Sequence, residues 1–435
     1  NVSGGRVPAP IWKEFMEKVV QDLPIEEWPE DPIEIDRYYE IPKVEIPDLK
    51  GLNVLDGEEL AFSNYILPVI NLIDSAPFQR LRRIRQLGPA YLTFHGAESS
   101  RFTHSLGVFH LARRALEHLI KIDPSLEKQR GTLYGAALLH DLGHGPLSHT
   151  SEEIFKIKHE VWTAKLINSN QELAMILNRY GKGNAKAISD LIQSRKAPEK
   201  SIVSLISSQL DCDRLDYLMR DIHMTGLNYG IEYERIMQNS KIENGEIIYS
   251  EKVKTNIQEF FHVRMIMYKE VYNHRTVRGI EYMMKDFIKE FDASYNITKM
   301  IETDDWDKFI QFNDSIIYFF KEKYDKHELK MKEIIESILS RKIYKSVGEI
   351  YIDEKVTDIK LEYDKENIIV DLVNLSKSKE ECKFYQEKNR INTTTSRPEN
   401  QNNTLIRIYF KDEKYKGDAQ KLFSIVSYQF SPSSS

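Results

Sequence analysis

Cysteine is almost absent from this chain of 435 residues. Cys212 and Cys382 are its whole complement, too few for a disulfide framework, which points to a reducing, cytoplasmic setting. No apolar run approaches the roughly 20 residues needed to cross a bilayer, so a membrane protein is not expected. Lys and Arg number 61 against 67 Asp and Glu, and a formal net charge of -6 argues against a uniformly basic nucleic-acid-binding surface, leaving only local cationic patches. Neither GxxxxGK[ST] nor GxGxxG occurs, so any phosphate must be held by side chains or a metal rather than by a glycine-rich backbone cradle. No internal repeat is evident.

What is present is apolar material, 41% of the chain, in a length that exceeds one core. The expected organisation is an N-terminal extension over 1–60, a helical domain over 61–340 and a small C-terminal α+β domain over 341–435. The extension carries a short amphipathic segment at 11–23, and a flexible, Asn-rich loop is expected near 390–404. Apolar spacing of period 3.6 predicts helices near 66–74, 77–87, 100–122, 131–142, 159–168, 171–180, 201–222, 253–292 and 305–340. A hairpin is predicted at 241–251 around Asn244-Gly245, strands at 349–353, 356–363, 368–372 and 405–410, and a last helix at 414–425. The fold class is mainly α.

Chemistry concentrates where His140 and Asp141 stand side by side, at the end of an apolar helix and before a glycine-rich break, Leu142-Gly143-His144-Gly145. His104 upstream and Asp213 downstream complete a set of two imidazoles and two carboxylates. Such mixed nitrogen and oxygen donors suit Mn, Fe, Zn or Mg and leave positions open for water and a phosphate oxygen. The plainer reading is that they are helix caps and buried polar residues; their clustering, with His144, His149 and His159 close by, favours a hydrolytic metal centre. Asp213, Tyr217 and Asp221 recur at i, i+4 and i+8, one helix face suited to a sugar. Arg264, Tyr268 and Tyr272 repeat that spacing beside Asn273, and Arg101 lies one turn before His104 as a cation for phosphate. The run 79–86 is dense in arginine and reads from spacing alone as a solvated helix face.

These stretches, from Phe78-Gln79-Arg80-Leu81-Arg82-Arg83 through Arg101-Phe102-Thr103-His104, His140-Asp141-Leu142-Gly143-His144-Gly145-Pro146-Leu147-Ser148-His149 and Asp211-Cys212-Asp213-Arg214-Leu215-Asp216-Tyr217, resemble the HD-domain deoxynucleoside triphosphate triphosphohydrolases. The likeness covers about 60–300 and is greatest to bacterial members; no SAM domain is expected. It implies a dNTP substrate converted to deoxynucleoside and triphosphate, and a divalent metal (Mn, Fe, Mg, Zn or Ni) on His104, His140, Asp141 and Asp213. His144, His149 and His159 would stand near the reacting phosphate, with His149 or His159 as proton donor. The likeness also implies deoxyribose contacts from Gln86, Leu87, Tyr217, Asp221 and Tyr272. Phosphate contacts would come from Arg101, Arg214 and Arg264, with Asn273 beside them; Arg214 and Asn273 replace a familiar Lys and Gln. A GTP or dNTP activator would sit against Asp74, Gln79 and Arg82, with Arg235, Asn256, His274 and Arg275 in a neighbouring pocket. Glu270 and Ser250 stand where arginines are familiar in the mammalian form. A homotetramer is the favoured assembly, a dimer the alternative. Two other readings share these residues: hydrolysis of a different nucleotide or of single-stranded nucleic acid, and a nucleotide sensor without turnover.

Overall fold

In the computed structural model, which describes residues 67–178, 183–318, 325–352, 356–374, 381–385, 391–395 and 404–430, a series of helices and short turns builds the site before any sheet is reached. Helix α1 (Leu67–Asp74) is followed by a single α-turn at Ala76–Gln79 and a 3₁₀ turn at Arg80–Arg83. Then come α2 (Arg101–Ile120), α3 (Arg130–Leu139), α4 (His149–Phe155), α5 (His159–Ser169), α6 (Asn184–Ser194) and α7 (Cys212–Thr225). Ser100 caps α2 by accepting from Thr103 N, and Asp211 caps α7 by accepting from Arg214 N, so both helices start where an oxygen side chain satisfies an orphan amide. Every residue of α3 is buried, which its run of Leu, Ala, Gly and Tyr permits. Helices α8 (Lys254–Met267), α9 (Arg275–Tyr295) and α10 (Lys326–Leu339) complete the helical body, the last with a full capping box from Asp325 and Glu328.

Two small sheets accompany the helices. Strands β1 (Ser240–Glu243) and β2 (Glu246–Ser250) form the expected hairpin, with Asn244 and Gly245 both at positive φ in a two-residue turn. Strands β3 (Lys345–Ile352), β4 (Ile368–Asn374), β5 (Glu381–Tyr385), β6 (Ile391–Thr395) and β7 (Thr404–Phe410) follow. They pair as β1-β2-β5-β6, where β5 runs parallel to β2, and as antiparallel β3-β7-β4. Buried on both faces, β7 is the middle of its sheet, and α11 (Lys416–Gln429) packs Ala419, Leu422 and Val426 onto that cluster. The described residues belong to one unit, Glu58–Ser435. The mainly α fold with a small α+β region stands as expected, and among the described residues no helix is long and apolar enough to cross a membrane.

Several boundaries differ from the periodicity. The helix expected at 77–87 is one α-turn and one 3₁₀ turn, because Arg80 turns inward and is fully buried; the arginine run is therefore not a wholly solvated face. The helix expected over 253–292 breaks at a π turn, Tyr268–Tyr272, after which His274 is extended and caps α9 by accepting from Thr276 N. The segment 305–340 is broken at Phe312, and 201–222 is broken where Asp211 begins a new helix. Residues 356–363 form no strand; Val356, Ile359, Leu361 and Tyr363 instead cover the core of the β3-β7-β4 sheet. Helices α4 and α6 and strands β5 and β6 are not among the expected elements, although α6 buries Ile188, Leu191 and Ile192 at helical spacing. The segment 11–23 and most of the loop near 390–404 lie outside the described residues.

Candidate active site

Helix α3 delivers His140 and Asp141 into the interior, where the chain must turn against the start of α5. A Cβ on Gly143 would lie 2.3 Å from His159 O and 2.5 Å from Thr163 N, so only glycine permits this approach. Thr163 fastens the turn, its hydroxyl accepting from Gly143 N at 2.8 Å and donating to His140 O at 3.0 Å. Arg80 fastens it from the other side, donating to His144 O at 2.7 Å, to Phe312 O at 2.6 Å and to Phe309 O at 2.9 Å.

The two imidazoles are oriented by acceptor-only partners. His104 Nδ1 lies 2.8 Å from Asp216 Oδ2, and His140 Nδ1 lies 2.9 Å from Ala137 O, so Nδ1 carries a proton in both rings and each Nε2 is the atom free to exchange a proton for a metal ion. Those nitrogens face each other at 3.3 Å. Asp213 Oδ1 is 3.1 Å from His104 Nε2 and 3.7 Å from His140 Nε2, and Asp141 oxygens are 3.6 and 3.4 Å from the same atoms. The two Nε2 atoms and the Asp213 carboxylate gather on one point, with Asp141, paired to Arg101, beside it, and such a set calls for a positive charge, a proton or a metal ion, in its midst. The donor set therefore fits a divalent metal. Burial works against charge on His104, yet the carboxylates of Asp213, Asp216 and Asp141 outweigh it and push its pKa up to about 10: the cage attracts positive charge. Burial likewise opposes charge on Asp141, but Arg101, His140 and His144 hold its carboxyl well below the usual range.

Beside this cage lies a second cluster, His144, His149, Glu152 and His159. His144 stacks on His159 with ring centroids 3.8 Å apart and sends Nε2 to within 3.3 Å of Asp141 Oδ1. Burial, then the neighbouring Arg101 and His159, keep the His144 pKa far below that of a free imidazole, so this ring is neutral. Glu152 binds His159 Nδ1 and lies 3.4 Å from His149 Nδ1; burial would raise its pKa, but these two imidazoles depress it and keep it ionised. His149 starts α4 after a strained turn in which Leu147 and Ser148 hold φ of 58° and 54°. The turn is pinned by Leu147 N donating to Asp314 Oδ1, Ser148 Oγ donating to Arg85 O, and Arg101 Nε donating to Ser148 Oγ.

A cavity of about 610 Å³ opens on this cluster. Gln86, Leu87, Arg101 and His149 line one part of it, and Tyr217, Asp221, Tyr272 and Asn273 another. Tyr272 packs edge-on against Tyr217 at 6.1 Å and donates its hydroxyl to Asp221 Oδ2 at 2.9 Å. Asp221 Oδ1 and Gln86 Oε1 are buried with no hydrogen-bond partner among the described residues, two acceptors in one cavity wall. Arg214 and Arg264 do not line the cavity: Arg214 is paired with Asp211, and Arg264 donates to Gln209 Oε1 at 3.2 Å.

Comparison with known proteins agrees with this geometry. The HD domain matches residues 101–218, and the HD associated region matches 231–383. The uncharacterized protein YwfO of Bacillus subtilis is 35% identical over 296 residues, covering 64% of this chain and 67% of that protein. This chain belongs to the HD-domain family. A second relative is named the deoxynucleoside triphosphate triphosphohydrolase SAMHD1 homolog, from Dictyostelium discoideum; it is 32% identical over 299 residues, 65% of this chain and 58% of that one. The SAMHD1 enzyme of Bos taurus is 29% identical over 441 residues, 82% of this chain and 74% of its own. HD-domain proteins of this kind are metal-dependent phosphohydrolases, consistent with the His and Asp cluster.

Other singled-out residues of this HD-domain chain fall away from the cage. Gln79 and Arg82 are joined, Arg82 Nε donating to Gln79 Oε1 at 2.7 Å with its guanidinium over Phe102, and Asp74 ends α1 nearby in sequence. Arg235 and Arg275 are exposed, Asn256 and His274 half-buried, and no hydrogen bond joins these four among the described residues. Sequence reasoning missed Glu152 and Asp216, although each follows a singled-out residue by three on the same helix. It also missed the wall that Arg278, Glu281 and Leu372–Asn374 add to the cavity, since nothing local announces a distant strand.

Proposed function

We propose that this chain hydrolyses deoxynucleoside triphosphates to deoxynucleoside and inorganic triphosphate, with His104, His140, Asp141 and Asp213 holding a divalent ion. The carrying observation is the pair of Nε2 atoms facing each other at 3.3 Å, with Asp213 Oδ1 3.1 Å from the first and Asp141 Oδ1 3.4 Å from the second. An ion there would polarise a water and a phosphate oxygen. Water attacks the α-phosphorus, the bond to the 5′-oxygen breaks, and that oxygen takes a proton. His149 lines the cavity and is our choice of donor, with Glu152 steadying its Nδ1 side and the stacked His144 and His159 behind it. Arg101 shares its guanidinium between Asp141 and Ser148 and faces the cavity, where it would meet the phosphates, with Arg214 and Arg264 swinging in from their present partners.

Tyr217, Tyr272 and Leu87 would pack on the deoxyribose, and the unpaired oxygens of Asp221 and Gln86 suit a donor such as its 3′-hydroxyl. The names of the Dictyostelium and bovine relatives support the same substrate. GTP or dNTP activation through Asp74, Gln79, Arg82, Arg235, Asn256, His274 and Arg275, within a homotetramer or dimer, belongs to this reading as well. The test is product analysis by phosphorus NMR with each dNTP, singly and paired with GTP, in Mn²⁺. Triphosphate is expected; pyrophosphate with monophosphate, or orthophosphate with diphosphate, contradicts attack at the α position. His104→Ala and Asp141→Ala are expected to abolish turnover and leave the chain folded by circular dichroism.

A further inference from the structure

Away from the HD cavity, a groove of about 480 Å³ lies where the short helix Lys200–Ile206, strand β2 and strand β5 meet. Four cations line it, Arg195, Lys196, Lys200 and Lys383, against one carboxylate, Glu246. Glu246 pairs with Lys383 and stands 3.8 Å from Lys200, so counting charges leaves an excess of three positive over the groove on a chain whose net charge is -6. Both lysines are largely exposed, at 74% and 47%, and exposed pairs of this kind are weak and readily exchanged for another anion. The floor is apolar, from Val203, Leu210, Ile247 and the buried ring of Tyr249, and Ser204 and Ser208 lie among the lining residues. Cations at the rim over an apolar, aromatic floor, in a volume within the range of small-molecule sites, match a ligand that is charged at one end and flat or apolar at the other.

The groove also touches the segment that holds two of the arginines of the proposed reaction. Gln209 lines it and accepts from Arg264 at 3.2 Å. Ser208 lines it and donates its backbone N–H to Asp211, the carboxylate paired with Arg214. We propose that this groove binds a small phosphorylated molecule, phosphates on Arg195, Lys196, Lys200 and Lys383, and that its occupancy moves segment 208–211 and so releases or retains Arg264 and Arg214. The binding claim stands without the proposed dNTP hydrolysis; the effect on turnover rests on it.

Hydrogen exchange on the full chain, with pyrophosphate or ATP added, separates the two. Slowed exchange is expected at 195–211, 246–250 and 381–385, reduced about tenfold or more in apparent affinity by the double substitution Arg195→Glu, Lys196→Glu, which alters exposed side chains and leaves basal turnover in place. ATP protecting these segments at lower concentration than pyrophosphate assigns a nucleoside phosphate; equal concentrations assign the phosphate group alone. Absence of protection there with both probes, or protection unchanged in the double variant, overturns the site. If binding is intact, Gln209→Ala is expected to leave it intact while abolishing any shift of the dNTP KM; a shift that persists overturns the link through Gln209.

Discussion

Replacing Asp221 by Asn is expected to make the protein more stable at neutral pH while weakening its hold on substrate. Asp221 is 1% exposed, receives one hydrogen bond from Tyr272, and has a second oxygen without a partner among the described residues. Burial pushes its pKa up to about 7 from the ordinary 3.8; the Tyr272 hydroxyl and His104 offset only part of this. The fold thus disfavours the charged form. Between pH 4 and 7 the unfolded chain has released this proton and the folded chain has not, so the wild type loses stability as pH rises through that window and levels off above it. At about 1.4 kcal/mol per pKa unit, keeping the proton in the fold costs about 2 kcal/mol at pH 5.5, and burying the charge costs about 4 kcal/mol at pH 8. Asparagine keeps the volume and an acceptor for Tyr272 without the charge. Urea unfolding at the two pH values should show the Asp221→Asn advantage growing by about 2 kcal/mol from the lower to the higher pH. An advantage equal at both, or reversed in trend, refutes the reasoning. The same variant should raise the dNTP KM, because with the amide oxygen kept on Tyr272 its NH2 group faces the sugar hydroxyl in place of the acceptor oxygen proposed for it.

Two other perturbations test the supports of the cage. Arg80→Met leaves the carbonyls of Phe309, Phe312, Leu142 and His144 without their buried donor and should cost about 3–5 kcal/mol in urea unfolding; a loss below about 1 kcal/mol shows that water replaces the guanidinium. Gly107→Ala places a Cβ 1.7 Å from Asp216 Oδ1, so the carboxylate must leave His104; Mn²⁺ titration should show affinity about 10–100-fold weaker, and unchanged affinity refutes the orienting role of Asp216.

Much of the site was legible because its residue types are unusual where they stand. Imidazoles and carboxylates at the ends of apolar helices are costly to bury without a purpose, so His104, His140, Asp141 and Asp213 stood out as one set before any geometry was available. The helical class was legible for a similar reason, since an apolar stripe of period 3.6 needs no tertiary information. Interruptions were harder. The π turn at Tyr268–Tyr272 and the 3₁₀ turn at Arg80–Arg83 arise where a side chain finds a better partner across the fold than along the helix, which local spacing does not encode.

Sequence alone, then, determined the mainly helical class, the glycine-bounded turn after the His-Asp doublet and the donor types available to a cation, because these follow from local periodicity and side-chain chemistry. Only the tertiary structure decided which nitrogen of each imidazole faces inward, that Asp216 and Glu152 set the orientation of the rings, that Arg214 and Arg264 are held away from the cavity, and that β4 closes its far wall. Asp216 reaches His104 and Gln209 reaches Arg264 across distant segments, and even near partners such as Glu152 and His159 or Asp211 and Arg214 are chosen by hydrogen-bond satisfaction and burial among groups that are equivalent in the chain.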